Sequence, residues 1–113
     1  SCAEFIRLCW KREELIARMS AEIAPFDALV LPTCPVVAPK LDALEDDDGR
    51  FWEQNALLSR NCAFFNFLDC CAITIPMQRP GDLPSGLMLA AAGGHDAKLL
   101  AIAAAVEHIL LQP

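Results

Sequence analysis

Apolar residues recur at helical spacing between Ala3 and Ala24. Phe5, Cys9, Ile16, Met19 and Ile23 make one stripe, which Leu8 and Leu15 widen. Charges such as Arg7, Lys11, Arg12 and Glu14 lie on the other side, as on a solvated helix face. Pro25 ends this helix, because the residue before a proline is pushed out of the α region. Ala28 to Leu31 are apolar on both faces and predict a strand covered on both sides. Prolines 32, 35 and 39 make a stiff extended connection to Lys40. Leu41 to Arg50, with Glu45-Asp-Asp-Asp-Gly49, reads as a solvated loop whose last Asp and Gly suit the approach to a helix N-terminus.

Phe51 to Asp69 carries a second helix pattern, apolar nearly all round in its latter half, which predicts burial. Strands follow at Cys70–Pro76 and Gly86–Ala92, joined by a Pro/Gly-rich hairpin connection over Gln78–Ser85. Gly93-Gly94 turns the chain into a last helix with Asp96 as N-cap and a stripe of Leu99, Ile102, Ala103, Val106 and Leu110 down to Leu111. The order is α-β-α-β-β-α in a single unit spanning residues 1–113, and the fold class is α/β.

Composition changes the picture in one respect. The 113 residues are 55% hydrophobic, above the ~45–50% usual for a soluble domain, and a chain this short buries only about two-thirds of its unfolded surface. Some apolar faces are therefore expected to meet another segment of a longer protein or a second copy. The net charge of −6, without a basic patch, argues against nucleic acid and anionic membrane surfaces as partners. No apolar run reaches the roughly 18–20 residues of a membrane span, and no signal-peptide h-region opens the chain. Ser1 in place of a starting Met fits a fragment. Cysteines 2, 9, 34, 62, 70 and 71 sit among apolar helix and strand residues, which predicts buried free thiols in a reducing, cytoplasmic setting.

The candidate chemistry is sparse. Ser85, His95 and Asp96 supply the residue types of a triad, but Ser85 lacks the GxSxG elbow. Cys34 with a histidine, or a metal site using Cys34, Cys62, Cys70 and Cys71, lacks local spacing to support it. Gly93-Gly94 fits no phosphate-loop spacing, so no cofactor is expected. Asn55, Asn61 and Asn66 interrupt the second helix and, if buried, need partners for both amide ends. The residues themselves form no self-contained catalytic constellation.

Three stretches taken in order, DALVLPTCPVVAP, RNCAFFNFLDCCAITIP and DLPSGLMLAAAGGHDAKLLAIAAAVEHIL, resemble the C-terminal region of amidase signature enzymes. The matching positions include Asp27, Pro32, Thr33, Pro35, Asn61, Asn66, Pro76, Pro84, Gly86 and Asp96. The resemblance implies part of a mixed sheet flanked by helices, in a hydrolase that cleaves carboxamides through an acyl-enzyme. The family's catalytic serine, its second serine and its lysine have no counterparts here, so the resemblance implies a segment that is catalytically silent alone, its catalytic part lying upstream. Family position puts the Thr33-Cys34 loop and the Ser59 to Asn61 turn at the acyl or leaving-group side of a pocket for a small amide. Asp69-Cys70-Cys71 stands where the family often has Gly-x-Pro, a variant similar to the allophanate hydrolase and ureide-type branch. Ser59 stands where glutamine-hydrolysing members carry an acidic residue, against a role on glutaminyl substrates. The alternative is a non-catalytic module that dimerises through its apolar faces.

Overall fold

The computed structural model describes residues 1–45 and 47–110. Helix α1 runs Cys2–Ile23, strand β1 Leu29–Pro32, helix α2 Asp48–Phe67, strand β2 Cys71–Pro76, strand β3 Gly86–Ala91 and helix α3 Asp96–Leu110. The expected order α-β-α-β-β-α is the observed one, with one added 3-10 turn at Leu41–Ala43. Asp46 of the acidic loop and the end of the α3 stripe at Leu111 lie outside the described residues. Among the described residues no helix is long and apolar enough to cross a membrane.

The strands form one antiparallel sheet in the order β1-β3-β2. Leu29 pairs with Ala90 across β1 and β3, and Cys71 pairs with Ala91 across β2 and β3. The central strand is therefore β3, and its Met88 to Ala91 are buried. Strand alternation divides the core between the two faces of the sheet. Ile75, Leu89 and Ala91 pack with Leu99 and Ala103 of α3. Met88 and Ala90 pack with Phe65 of α2 and the half-buried Met19 of α1 on the opposite face.

This placement corrects four expectations. β1 is an edge strand, and Val30 on the α3 face is 61% exposed, because α3 lies over β2 and β3 and stops short of β1. The latter half of α2 buries only Phe65; Phe64 and Phe67 face solvent. Cys2, Cys9, Cys34 and Cys62 are exposed free thiols, and Cys70 and Cys71 are half-buried ones. Asn55 and Asn66 are exposed and Asn61 is half-buried. In each case the apolar or uncharged character was legible, but within this chain no layer covers the residue.

The helix ends also differ in detail. α2 begins three residues earlier than its apolar pattern, because the Asp47 side chain accepts from Arg50 N at 3.0 Å and caps it. Asp96 is already helical; His95 precedes it, its carbonyl accepting from Leu99 N at 2.9 Å. Asp96 acts instead as first-turn negative charge, where the helix dipole favours it.

α2 ends in a Schellman motif: Cys70 N donates to Phe65 O at 3.0 Å and Asp69 N to Asn66 O at 3.3 Å. Asp69 takes the left-handed conformation, φ 52°, a position where aspartate is tolerated better than bulkier residues. Arg12 of α1 secures this corner. Its Nε donates to Phe67 O at 2.8 Å, Nη2 bonds the Asp69 carboxylate, and the guanidinium lies 5.5 Å from the Phe67 ring centre.

Candidate functional site

An open cleft of about 530 Å³ lies where β1 leaves the sheet and the β2–β3 connection begins. Pro32 to Val37 form one side, Thr74 and Pro76 to Gln78 the other, and Pro84 to Gly86 close the end. The sequence builds this shape directly. Pro32 and Pro35 keep the departing chain extended and away from β3. The connection is held by Met77 N donating to Ser85 O at 3.1 Å, and by a tight turn, Arg79 to Asp82, with Pro80 second and Gly81 third at φ 92°. That is the residue usage of a type II turn.

The floor of the cleft is a threonine pair. Thr33 Oγ1 and Thr74 Oγ1 are 3.1 Å apart, on strands that flank β3. Between them Gly86 leaves no room for a side chain: a Cβ there would meet Thr74 Cγ2 at 2.6 Å and Thr33 Oγ1 at 2.8 Å. Thr33 N donates to Gly86 O at 2.9 Å, so the loop is pinned at its first residue. None of the lining residues is charged. The cleft offers hydroxyls, an amide at Gln78 and apolar walls, a surface suited to a neutral ligand.

Thr33 and Cys34, expected at a pocket, line this cleft. Asn61 stands behind it: its Nδ2 donates to Pro32 O at 2.8 Å, and the Cys62 thiol lies 3.9 Å from Thr33 O. Asn61 thus ties α2 to the stretch from which the cleft wall starts. Ser59 does not line the cleft; its hydroxyl donates to Asn55 O at 2.8 Å, one turn back in its own helix. Thr74, Gln78 and Gly86 escaped the sequence reading as site residues. The Gly86 position within the L-P-x-G motif was the one signal that a backbone approaches closely there.

A smaller hollow of about 210 Å³ opens at the other end of the sheet, beside Ser20, Asp27, His95 and Lys98. Lys98 Nζ pairs with Asp27 Oδ1 at 2.9 Å and, through that hydrogen bond above all, holds the Asp27 carboxyl below its ordinary pKa. His95 Nδ1 lies 3.1 Å from Ala92 O, which requires the Nδ1–H tautomer for that bond. No hydrogen bond joins Ser20 to His95 or Lys98 among the described residues. Ser85 belongs to the first cleft and His95 to this hollow, at opposite ends of β3, so Ser85, His95 and Asp96 do not assemble as a triad. Burial, with Cys71 and Asp69 nearby, pushes the Cys70 thiol up in pKa, the reverse of what a nucleophile needs.

Comparison with known proteins bears on the same residues. Residues 3–100 match the family described as Amidase. Over 100 residues the chain is 36% identical to the indoleacetamide hydrolase of Pseudomonas savastanoi, a match covering 88% of this chain and 20% of that protein. The chain thus spans about a fifth of that relative's length. Its fold is similar to that of the glutamyl-tRNA(Gln) amidotransferase of Thermotoga maritima, with a TM-score of 0.67 and 24% identity, over 93% of this chain and 22% of the amidotransferase chain.

Proposed function

This chain belongs to the amidase family, and we propose that it supplies one wall of the substrate pocket of a carboxamide hydrolase. The observation that carries the proposal is the uncharged cleft built on Thr33 and Thr74, at the end of the sheet where the family resemblance puts the amide. Thr33 and Cys34 face the substrate in this reading. Asn61 acts as a positioning residue by holding the Pro32 carbonyl, and Ser59 contributes only through the helix that carries Asn61. The acyl-transfer residues come from elsewhere in a longer protein, and the 113 residues act as one catalytically silent piece.

The lack of charge in the cleft favours a neutral acyl group over an amino-acid side that carries charge at neutral pH. An arylacetamide of the kind named for the Pseudomonas savastanoi relative is therefore the first substrate to try. The test is a graft: this chain replaces the matching 100 residues of that indoleacetamide hydrolase. The chimera is expected to release ammonia from indole-3-acetamide, and the chain alone is not. Turnover by the chain alone overturns the silent assignment. A folded but inactive chimera overturns the proposed wall.

A further inference from the structure

The two edges of the sheet are not equivalent. Thr33 N bonds Gly86 O, which fixes the parity of the β1 ladder: Leu29 and Leu31 point their backbone groups at β3, and Val30 and Pro32 point outward. Pro32 has no N–H, and Asn61 already occupies its carbonyl. The β1 edge is short and closed. On the other side Met77 N bonds Ser85 O, so Cys71, Ile73 and Ile75 face β3 while Ala72 and Thr74 turn their N–H and C=O groups outward. Ala72 and Thr74 are exposed, and no proline, charge or bulge interrupts the strand before Pro76. An edge so unprotected is a template for another strand.

We propose that the β2 edge pairs with β2 of a second copy of this chain, antiparallel about a two-fold axis. One register satisfies every outward group: Ala72 of each copy opposite Thr74 of the other, with Ile73 beside its own counterpart. Two residues per copy, each with one donor and one acceptor, then form four backbone hydrogen bonds in a six-stranded sheet. A slip by two residues would bring in Pro76 and lose a donor.

α3 supports the same arrangement. Lys98 reaches Asp27 near β1, so that flank of α3 faces β1, and the opposite flank, with Leu100, Ala104 and Glu107, faces the β2 edge. Leu100 is 59% exposed. The two-fold axis brings the second α3 to the same side of the enlarged sheet, where Leu100 and the small Ala104 give it an apolar flank to pack on. The area is sufficient. The chain exposes 8409 Å², whereas a compact chain of 12.3 kDa exposes about 6,100 Å². The surplus exceeds the roughly 1,200–2,000 Å² total of a stable interface.

The proposal is tested by sedimentation and amide exchange on the 113-residue chain over roughly 1–100 µM, where mass action resolves a dimer. A dimer is expected, with the Ala72 and Thr74 amides exchanging about tenfold or more slowly as concentration rises. Thr74→Pro and Ala72→Lys should each give a monomer with unchanged helix content. Ala72→Lys alters only an exposed side chain and decides the matter if the proline variant does not fold. A wild-type monomer with freely exchanging Ala72 and Thr74 overturns the proposal, as does a dimer that survives Ala72→Lys. Protection of these two amides only after grafting into the longer hydrolase also overturns it, and assigns the edge to a strand of that protein instead. Amide turnover is read separately, so loss of the dimer does not decide the fate of the proposed substrate wall.

Discussion

Individual side chains here are organised by a few polar ties between distant parts of the chain. Arg12 is the clearest case. On the sequence it belongs to a charged helix face, and such residues usually face solvent. Its partners at Phe67 and Asp69 lie 55 and 57 residues away, so no local pattern could expose the role. Asp27 and Lys98 behave similarly: Asp27 was legible as part of a motif, its ion pair was not. Lys98→Met should return the Asp27 pKa upward to the ordinary aspartate range, read by NMR titration. Because the folded pKa is the lowered one, the pair's stabilising effect is present above the unfolded aspartate pKa and fades as pH falls through the folded value. Cys70 has the opposite sign. Its raised pKa favours the neutral thiol in the fold, so its contribution holds below the unfolded cysteine pKa and is lost as pH rises through the folded one. Near pH 8, alkylation with iodoacetamide should therefore label Cys34 and Cys62, both exposed, well before Cys70.

At the scale of elements, the chain was most legible where local chemistry decides. Pro25 ends α1 within a residue or two, the Pro80-Gly81 turn makes a hairpin, and period-two alternation sets β2 with Ile73 and Ile75 inward. It was least legible where burial depends on neighbouring layers. β1 reads as a covered strand and is a bare edge; α2 reads as a buried helix and exposes most of its aromatic residues. The corner after α2 joins both kinds of information. The Asp69 carbonyl lies 2.5 Å from where a Cβ on Gly93 would stand. Backbone gives way less readily than a side chain, so Gly93→Ala should cost about 2–3 kcal/mol in urea unfolding. Gly49→Ala, inside the first turn of α2 and facing only the Asp47 side chain, should be neutral or stabilise by about 0.5 kcal/mol.

The whole molecule is a thin slab, 51 × 43 × 17 Å, with a radius of gyration of 17.2 Å against about 13 Å for a compact chain of this length. Its high apolar content, legible from composition, is therefore spread over open surface as well as gathered into the core. The slab shape itself was not legible, because sequence pattern marks which faces are apolar and not whether this chain also supplies their cover. The shape sets an expectation for mutagenesis. Leu8 lies on the apolar stripe of α1 but is 69% exposed. Leu8→Lys should change the unfolding free energy by no more than about 0.5 kcal/mol, whereas Leu99→Ala, deep in the core beneath α3, should cost about 2–4 kcal/mol. Urea unfolding of the two variants side by side checks this.

The strand order β1-β3-β2 also orders events in time. The hairpin of β2 and β3 joins at Pro76 and Gly86, ten residues apart, and α3 follows it in sequence. β1 reaches β3 only across about 60 residues, from Leu29 to Ala90, so a long loop must close before that pairing gives any return. Assembly is thus expected to start from the C-terminal hairpin and α3, with β1 and α1 joining late. In refolding kinetics, Ile75→Val should mainly slow folding and Leu31→Val should mainly speed unfolding.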